Sequence, residues 1–215
     1  MSLNLKNISL RLNGKTLIAP FSMKIVEGEV VTLMGPSGSG KSSLLSYIAG
    51  DLAAPFVGQG EIVLNRRPLN TTPPQNRNIG RLFQDDLLFP HMTVGENLLF
   101  AIPRGVRAER ETMMHTALER AELEGFEHRG PHTLSGGQRS RVSLMRSLLA
   151  KPQAMLLDEP FNKLDRDLRG TIRDYTFAHL KDRNVPTLLV THDISDAPAN
   201  GRIFEIDKFG EIKHV

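Results

Sequence analysis

The spacing of hydrophobic and polar positions changes its period several times along the chain, and each change marks an element. Residues 2 to 10 and 16 to 25 alternate polar and apolar and predict two strands, joined by a hairpin turn at Asn13-Gly14, with Phe21, Met23 and Ile25 facing inward. Val30-Val31-Thr32-Leu33-Met34 is nearly all apolar, the pattern of a strand buried on both faces, and it delivers the chain into a glycine-rich loop. A helix is predicted from about Lys41 to Ala49, with Gly50 placed to cap it. Strand character returns around Ile62-Val63-Leu64 and from Ile79 to Phe83, and Pro73-Pro74 marks the loop between them.

From Thr93 the period becomes helical. Thr93-Val94-Gly95-Glu96 has the spacing of a capping box, and Ala108 to Leu123 carries apolar residues at helical intervals, so residues 86 to 134 predict a helical insert. A second helix start, Ser135-Gly136-Gly137-Gln138, opens a segment that runs to Ala150 and closes at Lys151-Pro152. Strands recur at Ala154 to Leu157 and Thr187 to Val190, separated by a helix from about Asp165 to Leu180, which argues for a parallel sheet with crossover helices. Two last strands are expected at about Ile203 to Ile206 and Phe209 to Lys213, and no added regulatory domain is expected within residues 193–215. No internal repeat, low-complexity tract or separating linker interrupts the pattern.

Composition narrows the function classes. The 215 residues and 40% hydrophobic content fit one sizeable core. Without cysteine there is no disulfide framework, thiolate nucleophile or cysteine-type zinc site, and a reducing cytoplasm fits best. Residues 1 to 10 lack the pattern of a secretory signal, and no apolar run reaches the length of a bilayer span, so any membrane role is expected to pass through a separate polypeptide. The net charge of +3 arises from 27 basic and 24 acidic side chains without a block of one sign. With no Trp, two Tyr and no interleaving of basic and aromatic residues, no nucleic-acid platform is expected.

Two motifs carry the chemistry. Gly35-Pro36-Ser37-Gly38-Ser39-Gly40-Lys41-Ser42, followed by Ser43, fits the GxxxxGK[ST] phosphate loop and lies between a predicted strand and a predicted helix, as that motif requires. Its glycines let backbone N–H groups turn toward phosphates and the helix N-terminus adds its dipole. Lys41 is expected at the β- and γ-phosphates and Ser42 on Mg²⁺. Met155-Leu156-Leu157-Asp158-Glu159 is an apolar strand ending in two carboxylates at the sheet edge where ligands bind in such folds. Asp158 is expected to hold the metal through water and Glu159 to polarise the attacking water. Taken alone, that pair would be a solvated acidic turn before Pro160.

With Leu134-Ser135-Gly136-Gly137-Gln138 between these motifs, the chain resembles the nucleotide-binding subunit of an ABC transporter, importer-like, as a single short cassette over essentially its full length. The resemblance implies an α/β fold, a P-loop NTPase (RecA-like) core with an N-terminal antiparallel β subdomain and a helical insert carrying the signature. It also implies one cassette over residues 1–215: about 1–85 and 151–215 form the β subdomain and core, and about 86–150 the helical subdomain. Gln84 matches the Q-loop glutamine, which in the family touches Mg²⁺ and the water and senses the membrane partner. His192 matches the H-loop histidine that holds the γ-phosphate. Ser135, Gly136, Gly137, Gln138 and Asp165 are expected to meet ATP bound to the opposite subunit.

Two departures stand out. Asn162-Lys163-Leu164-Asp165 lies where the family usually has Ser-Ala-Leu-Asp, and no aromatic occupies the region of Leu12, where the family places a ring under adenine. Base stacking is worth roughly 1–3 kcal/mol, so nucleotide affinity or base selectivity is expected to be lower unless Arg11 stacks instead.

The implied function is ATP hydrolysis powering transport, with ATP and Mg²⁺ as cofactors, import favoured over export, and two ATP molecules sandwiched in a head-to-tail dimer. The implied partners are a second copy of the chain, transmembrane permease subunits reached through the segment from Gln84 to Thr93, and a substrate-binding protein in the assembled system. The expected location is the cytoplasm, peripheral on the inner face of the cell membrane. In that segment Leu87, Leu88, Phe89 and Met92 form an apolar cluster that either marks a partner site or packs beneath the helical insert. The competing function is a soluble ABC ATPase in nucleic-acid, ribosome or cofactor-assembly processes.

Overall fold

A computed structural model describes residues 1–215. The elements follow in the order β1 (Ser2–Leu12), β2 (Lys15–Val26), β3 (Val30–Met34), α1 (Lys41–Ala49), β4 (Phe56–Leu64), β5 (Arg67–Pro68), β6 (Ile79–Leu82), α2 (Val94–Ala101), α3 (Arg107–Arg120), α4 (Gly136–Leu149), β7 (Ala154–Asp158), α5 (Arg166–Asp182), β8 (Thr187–Val190), β9 (Ile203–Ile206) and β10 (Ile212–His214). The chain divides into two compact units. The first comprises Met1–Arg81, Pro152–Glu159 and Leu180–Val215; the second comprises Leu82–Lys151 and Pro160–His179. No helix is long and apolar enough to cross a membrane.

The first unit is built on two sheets. One is antiparallel with strand order β2-β1-β4-β5, and its leading hairpin turns through Asn13 (φ 50) and Gly14 (φ 78), the left-handed pair that matches strand twist. The other has the order β10-β9-β3-β8-β7-β6, with β3 parallel to both β8 and β9, and β7 parallel to β8. Val30, Val31, Thr32 and Leu33 are all buried, as a strand covered on both faces requires. The core joins Leu3, Ile18 and Ile25 of the antiparallel sheet to Leu33, Leu156 and Val190 of the parallel one, with Leu44, Leu45 and Ile48 of α1 between. Gly50, at φ 91, closes α1 by sending its N–H to the carbonyls of Ser46 and Tyr47.

The second unit is helical. Thr93 caps α2 as a full capping box with Glu96, and α2, α3 and α4 bury Leu98, Met114, Leu118, Val142, Met145 and Leu148. Phe161 is fully buried and meets the Phe177 ring edge-on, with centroids 6.0 Å apart.

Several element bounds differ from the sequence pattern; α3, for one, ends at Arg120 and not at Leu123. Strand β4 starts at Phe56, ahead of its apolar run, because pairing with β1 continues from Leu64 down to the Phe56–Leu12 pair through glycine-rich residues without an apolar signal. Strand β10 is confined to Ile212–His214, since the Asp207 carboxylate accepts the N–H groups of Phe209 and Glu211 and holds Phe209 in a turn. Helix α5 runs on to Asp182.

Candidate active site

The site grows out of strand order. Strands β3, β8 and β7 lie side by side and parallel, with Leu33 and Asp158 both in register with Val190, so the loops that follow them leave from one edge of the sheet. The first leads to Lys41 and Ser42 at the start of α1, and the other two carry His192 and Glu159.

After β3 the chain passes through Gly35 (φ 149), Gly38 (φ 79) and Gly40 (φ 93) into α1. A Cβ at Gly35 would lie 2.9 Å from the Ile206 carbonyl oxygen, and one at Gly40 would lie 2.8 Å from Cδ2 of Leu17. Side chains at Gly35 and Gly40 would therefore collide with their neighbours, whereas Gly38 faces open space. Lys41 is buried beneath the loop, and its Nζ donates to the carbonyls of Gly35 (2.7 Å) and Pro36 (2.8 Å). The buried Ser39 hydroxyl makes no hydrogen bond to the protein, and the first turn of α1 contains no acidic residue. A positive helix end, an unused hydroxyl and a glycine cradle suit a phosphate chain.

The acidic side is anchored from β7. Asp158 is 4% exposed, and burial holds its carboxyl above the usual carboxylate range, with Glu159 pushing the same way; the Ser42 hydroxyl, Arg81 and Lys41 work against the shift. Burial likewise holds the Lys41 ammonium below its ordinary value, against the attraction of Glu159 and Asp158. The site thus carries opposed charges that are each short of solvation. Ser42 and Asp158 offer adjacent hard oxygen donors, a set that suits a Mg²⁺ ion completed by water and phosphate oxygens.

Glu159 stands one residue past β7 in the left-handed region (φ 49), its N–H held by the carbonyl of Val190 at 2.9 Å. From that turn its side chain reaches the residues after β8, where Oε1 lies 3.2 Å from Nδ1 of His192. His192 is fixed from behind: the buried Thr191 hydroxyl donates to Asp196 at 2.7 Å and accepts the Asp193 N–H at 3.1 Å. Lys41, Ser42, Asp158, Glu159 and His192 are therefore brought together within the first unit.

Two arginines in this unit escaped the sequence reading. Arg77 sends Nε to the Thr72 carbonyl at 2.8 Å and one terminal nitrogen to the Ile48 carbonyl at 2.7 Å, closing the C-terminal end of α1. Arg81 binds Asp51 at 2.7 Å. Neither has a local sequence signal, because their partners are set by packing.

The remaining predicted residues lie in the second unit. Ser135 caps α4 in a full capping box: its hydroxyl accepts the Gln138 N–H at 3.2 Å and the Gln138 side chain accepts the Ser135 N–H at 2.9 Å. The first-turn N–H groups of α4 consequently stand at a well-defined helix end. Gln84 is exposed, and Asp165 gives its carbonyl to the N–H of Arg169 at the start of α5. In the segment from Gln84 to Thr93, Leu87 is 55% exposed while Leu88, Phe89 and Met92 are partly covered. Asn97, fully buried and also unread from sequence, holds this segment by accepting the Phe89 N–H and donating to the carbonyls of Phe89, Met92 and Thr93. Arg146 binds the Asn97 side chain and the Leu87 carbonyl. In the first unit Leu12 pairs with Phe56 of β4, and no aromatic stands at its own position.

Comparison with known proteins bears on the family. The family model described as ABC transporter matches residues 18–162. The chain is 45% identical over 207 residues to the uncharacterized ABC transporter ATP-binding protein YnjD of Escherichia coli (strain K12), covering 96% of this chain and 95% of that protein. It is 40% identical over 195 residues to the Fe(3+) ions import ATP-binding protein FbpC of the same organism, covering 90% of this chain and 55% of that one. It is 37% identical over 215 residues to the spermidine/putrescine import ATP-binding protein PotA of Nitrosomonas eutropha, covering 99% and 58%. The chain thus spans little more than half the length of these two importer subunits. Among solved structures, the post-hydrolysis dimer of the ATP-binding cassette MJ0796 bound to ADP and Pi superposes with a TM-score of 0.84 at 32% identity, covering 99% of this chain and 97% of that one. Motif, strand order and relatives together show that the chain belongs to the ABC transporter family, as one of its ATP-binding ATPase subunits.

Proposed function

We propose that the chain powers import across a membrane, working as a head-to-tail dimer that closes on two ATP molecules and drives separate permease subunits. The observation that carries this is the convergence of Lys41, Ser42, Asp158, Glu159 and His192 on one sheet edge, with Glu159 oriented by His192 at 3.2 Å. In-line attack on the γ-phosphate asks for positioning and for positive groups around the developing charge. The loop amides from Gly35 to Ser43 hold the phosphates, and Lys41 exchanges its two carbonyl partners for the β- and γ-oxygens. Ser42 and Asp158, with Gln84, are the residues that would hold Mg²⁺, which would supply positive charge against the phosphates. Glu159 polarises the attacking water, and His192 fixes Glu159 and reaches the γ-phosphate.

These groups supply one side of the γ-phosphate. The other side is supplied by a second copy, through Ser135, Gly136, Gly137 and Gln138 at the start of α4 and Asp165 from the following loop. A capped helix start is suited to an anion it does not itself carry. The relatives named as Fe(3+) and spermidine/putrescine import subunits, and the dimeric ATP-binding cassette structure, support import and dimerisation. The permease is received by the Gln84–Thr93 segment, where exposed Leu87 stands on a backbone held by Asn97 and Arg146. In the assembled importer a substrate-binding protein delivers the cargo, and the ATPase sits at the inner face of the membrane. Specific activity that rises with protein concentration tests the shared site; activity independent of concentration in a demonstrable monomer would defeat it.

A further inference from the structure

Asp86, two residues past Gln84, is the centre of a three-way ion contact. Its carboxylate is 12% exposed and faces Nζ of Lys163 at 3.3 Å on one oxygen and Nε of Arg139 at 3.4 Å on the other. Each cation is also tied to a backbone carbonyl: Lys163 donates to Gln84 at 2.9 Å and Arg139 donates to Leu134 at 2.7 Å. The Lys163 carbonyl in turn packs on the signature helix, so closely that a Cβ at Gly137 would lie 2.8 Å from it. Three segments distant in sequence, those of Gln84, Lys163 and Leu134–Arg139, are thereby joined through one carboxylate. Lys163 is one of the two departures from the usual family loop, and alanine at this position would lack both Nζ contacts, to Asp86 and to the Gln84 carbonyl.

We propose that Asp86, Lys163 and Arg139 are positioning residues that make the Gln84 segment, the loop from Asn162 to Asp165 and the signature helix act as one piece, so that displacement of Gln84 is passed to Ser135. The inference rests on the site roles proposed above for Gln84, Ser135 and Asp165. Both cations are more than a third exposed, and an isolated pair of this kind contributes little. The backbone anchors distinguish this network, because losing one cation frees a loop as well as a charge.

The test uses the full chain with Asp86→Asn, Lys163→Met and the double variant, measuring steady-state hydrolysis and binding of a fluorescent ATP analogue. Each single change is expected to lower kcat about fivefold or more while analogue affinity stays within about twofold, and the double is expected to be no worse than the weaker single. Lys163→Arg is expected to recover most of the rate. Wild-type rates in both singles, or effects that multiply in the double, would overturn the inference. Should Asp86→Asn fail to fold, the contrast between Lys163→Met and Lys163→Arg decides: equal rates overturn it. Glu159→Gln run alongside separates the two claims, because wild-type hydrolysis there would count against the site itself, whereas an inactive Glu159→Gln beside unaffected Asp86 and Lys163 variants would remove only the coupling.

Discussion

Glu159 and His192 meet at 3.2 Å across the ends of two neighbouring parallel strands, although 33 positions separate them in sequence. The contact depends on Glu159 adopting a left-handed backbone, a conformation that costs a non-glycine residue of order 1–3 kcal/mol and that concentrates at functional sites. Glu159→Gln is expected to lower hydrolysis at least about a hundredfold while ATP still binds, as loss of a positioned base does. His192→Ala should lower the rate as well, and adding it to Glu159→Gln should cost little more. Single-turnover rates of the two singles and the double check this; multiplicative losses would show that the two residues act apart.

Asp158 makes a pH prediction. Its carboxyl is held above the ordinary range by burial, so in the absence of nucleotide its contribution to stability is fully present below the unfolded value and is lost as pH rises through the raised folded value. At neutral pH the charged, desolvated carboxylate is a burden on the fold. Asp158→Asn should therefore melt a few degrees higher than the wild type at pH 7 to 8, and the gap should shrink on acidification, while hydrolysis is lost. Thermal melts across pH, without nucleotide, read the sign directly.

Neighbouring glycines of the signature should respond differently. A Cβ at Gly137 would meet the Lys163 carbonyl oxygen at 2.8 Å, and the obstacle is backbone; at Gly136 the first contact is an Arg139 side-chain nitrogen at 3.9 Å. Gly137→Ala should destabilise the protein by about 1–3 kcal/mol, the usual cost of overpacking. Gly136→Ala should leave stability within about 0.5 kcal/mol or raise it slightly. Urea denaturation of both variants decides.

Asn97 governs the order of the segment proposed to receive the permease. Asn97→Ala removes one acceptor and the shared donor for three carbonyls in the interior, and should cost about 2–3 kcal/mol. The loss should be concentrated locally, seen as faster amide exchange from Leu87 to Thr93 with little change in β3, β7 and β8.

Much of this was legible in the sequence wherever the signal was local. Thr93 with Glu96, Gly50 after α1, and the apolar run Val30–Met34 each state their structure within a few residues, and the phosphate loop and signature carried the family and the mixed α/β fold. What could not be read depends on distant pairing. The glycines of β4 concealed a strand that exists because β1 lies beside it. Asn97, Arg77 and Arg146 appear in sequence as ordinary polar residues, and only packing supplies the carbonyls they bind. Lys163 is the mixed case. Its departure from the usual loop was visible, but its partner Asp86 lies 77 residues away and only the fold brings them together.

The shared ATP site is tested most directly by the mass of Glu159→Gln in solution, measured by light scattering with and without ATP. The chain is 23.9 kDa, and the account predicts a monomer alone, a species of twice that mass with ATP, and a monomer again when Ser135→Arg is added. A Glu159→Gln protein that stays monomeric at saturating ATP, or a dimer that survives Ser135→Arg, would contradict it.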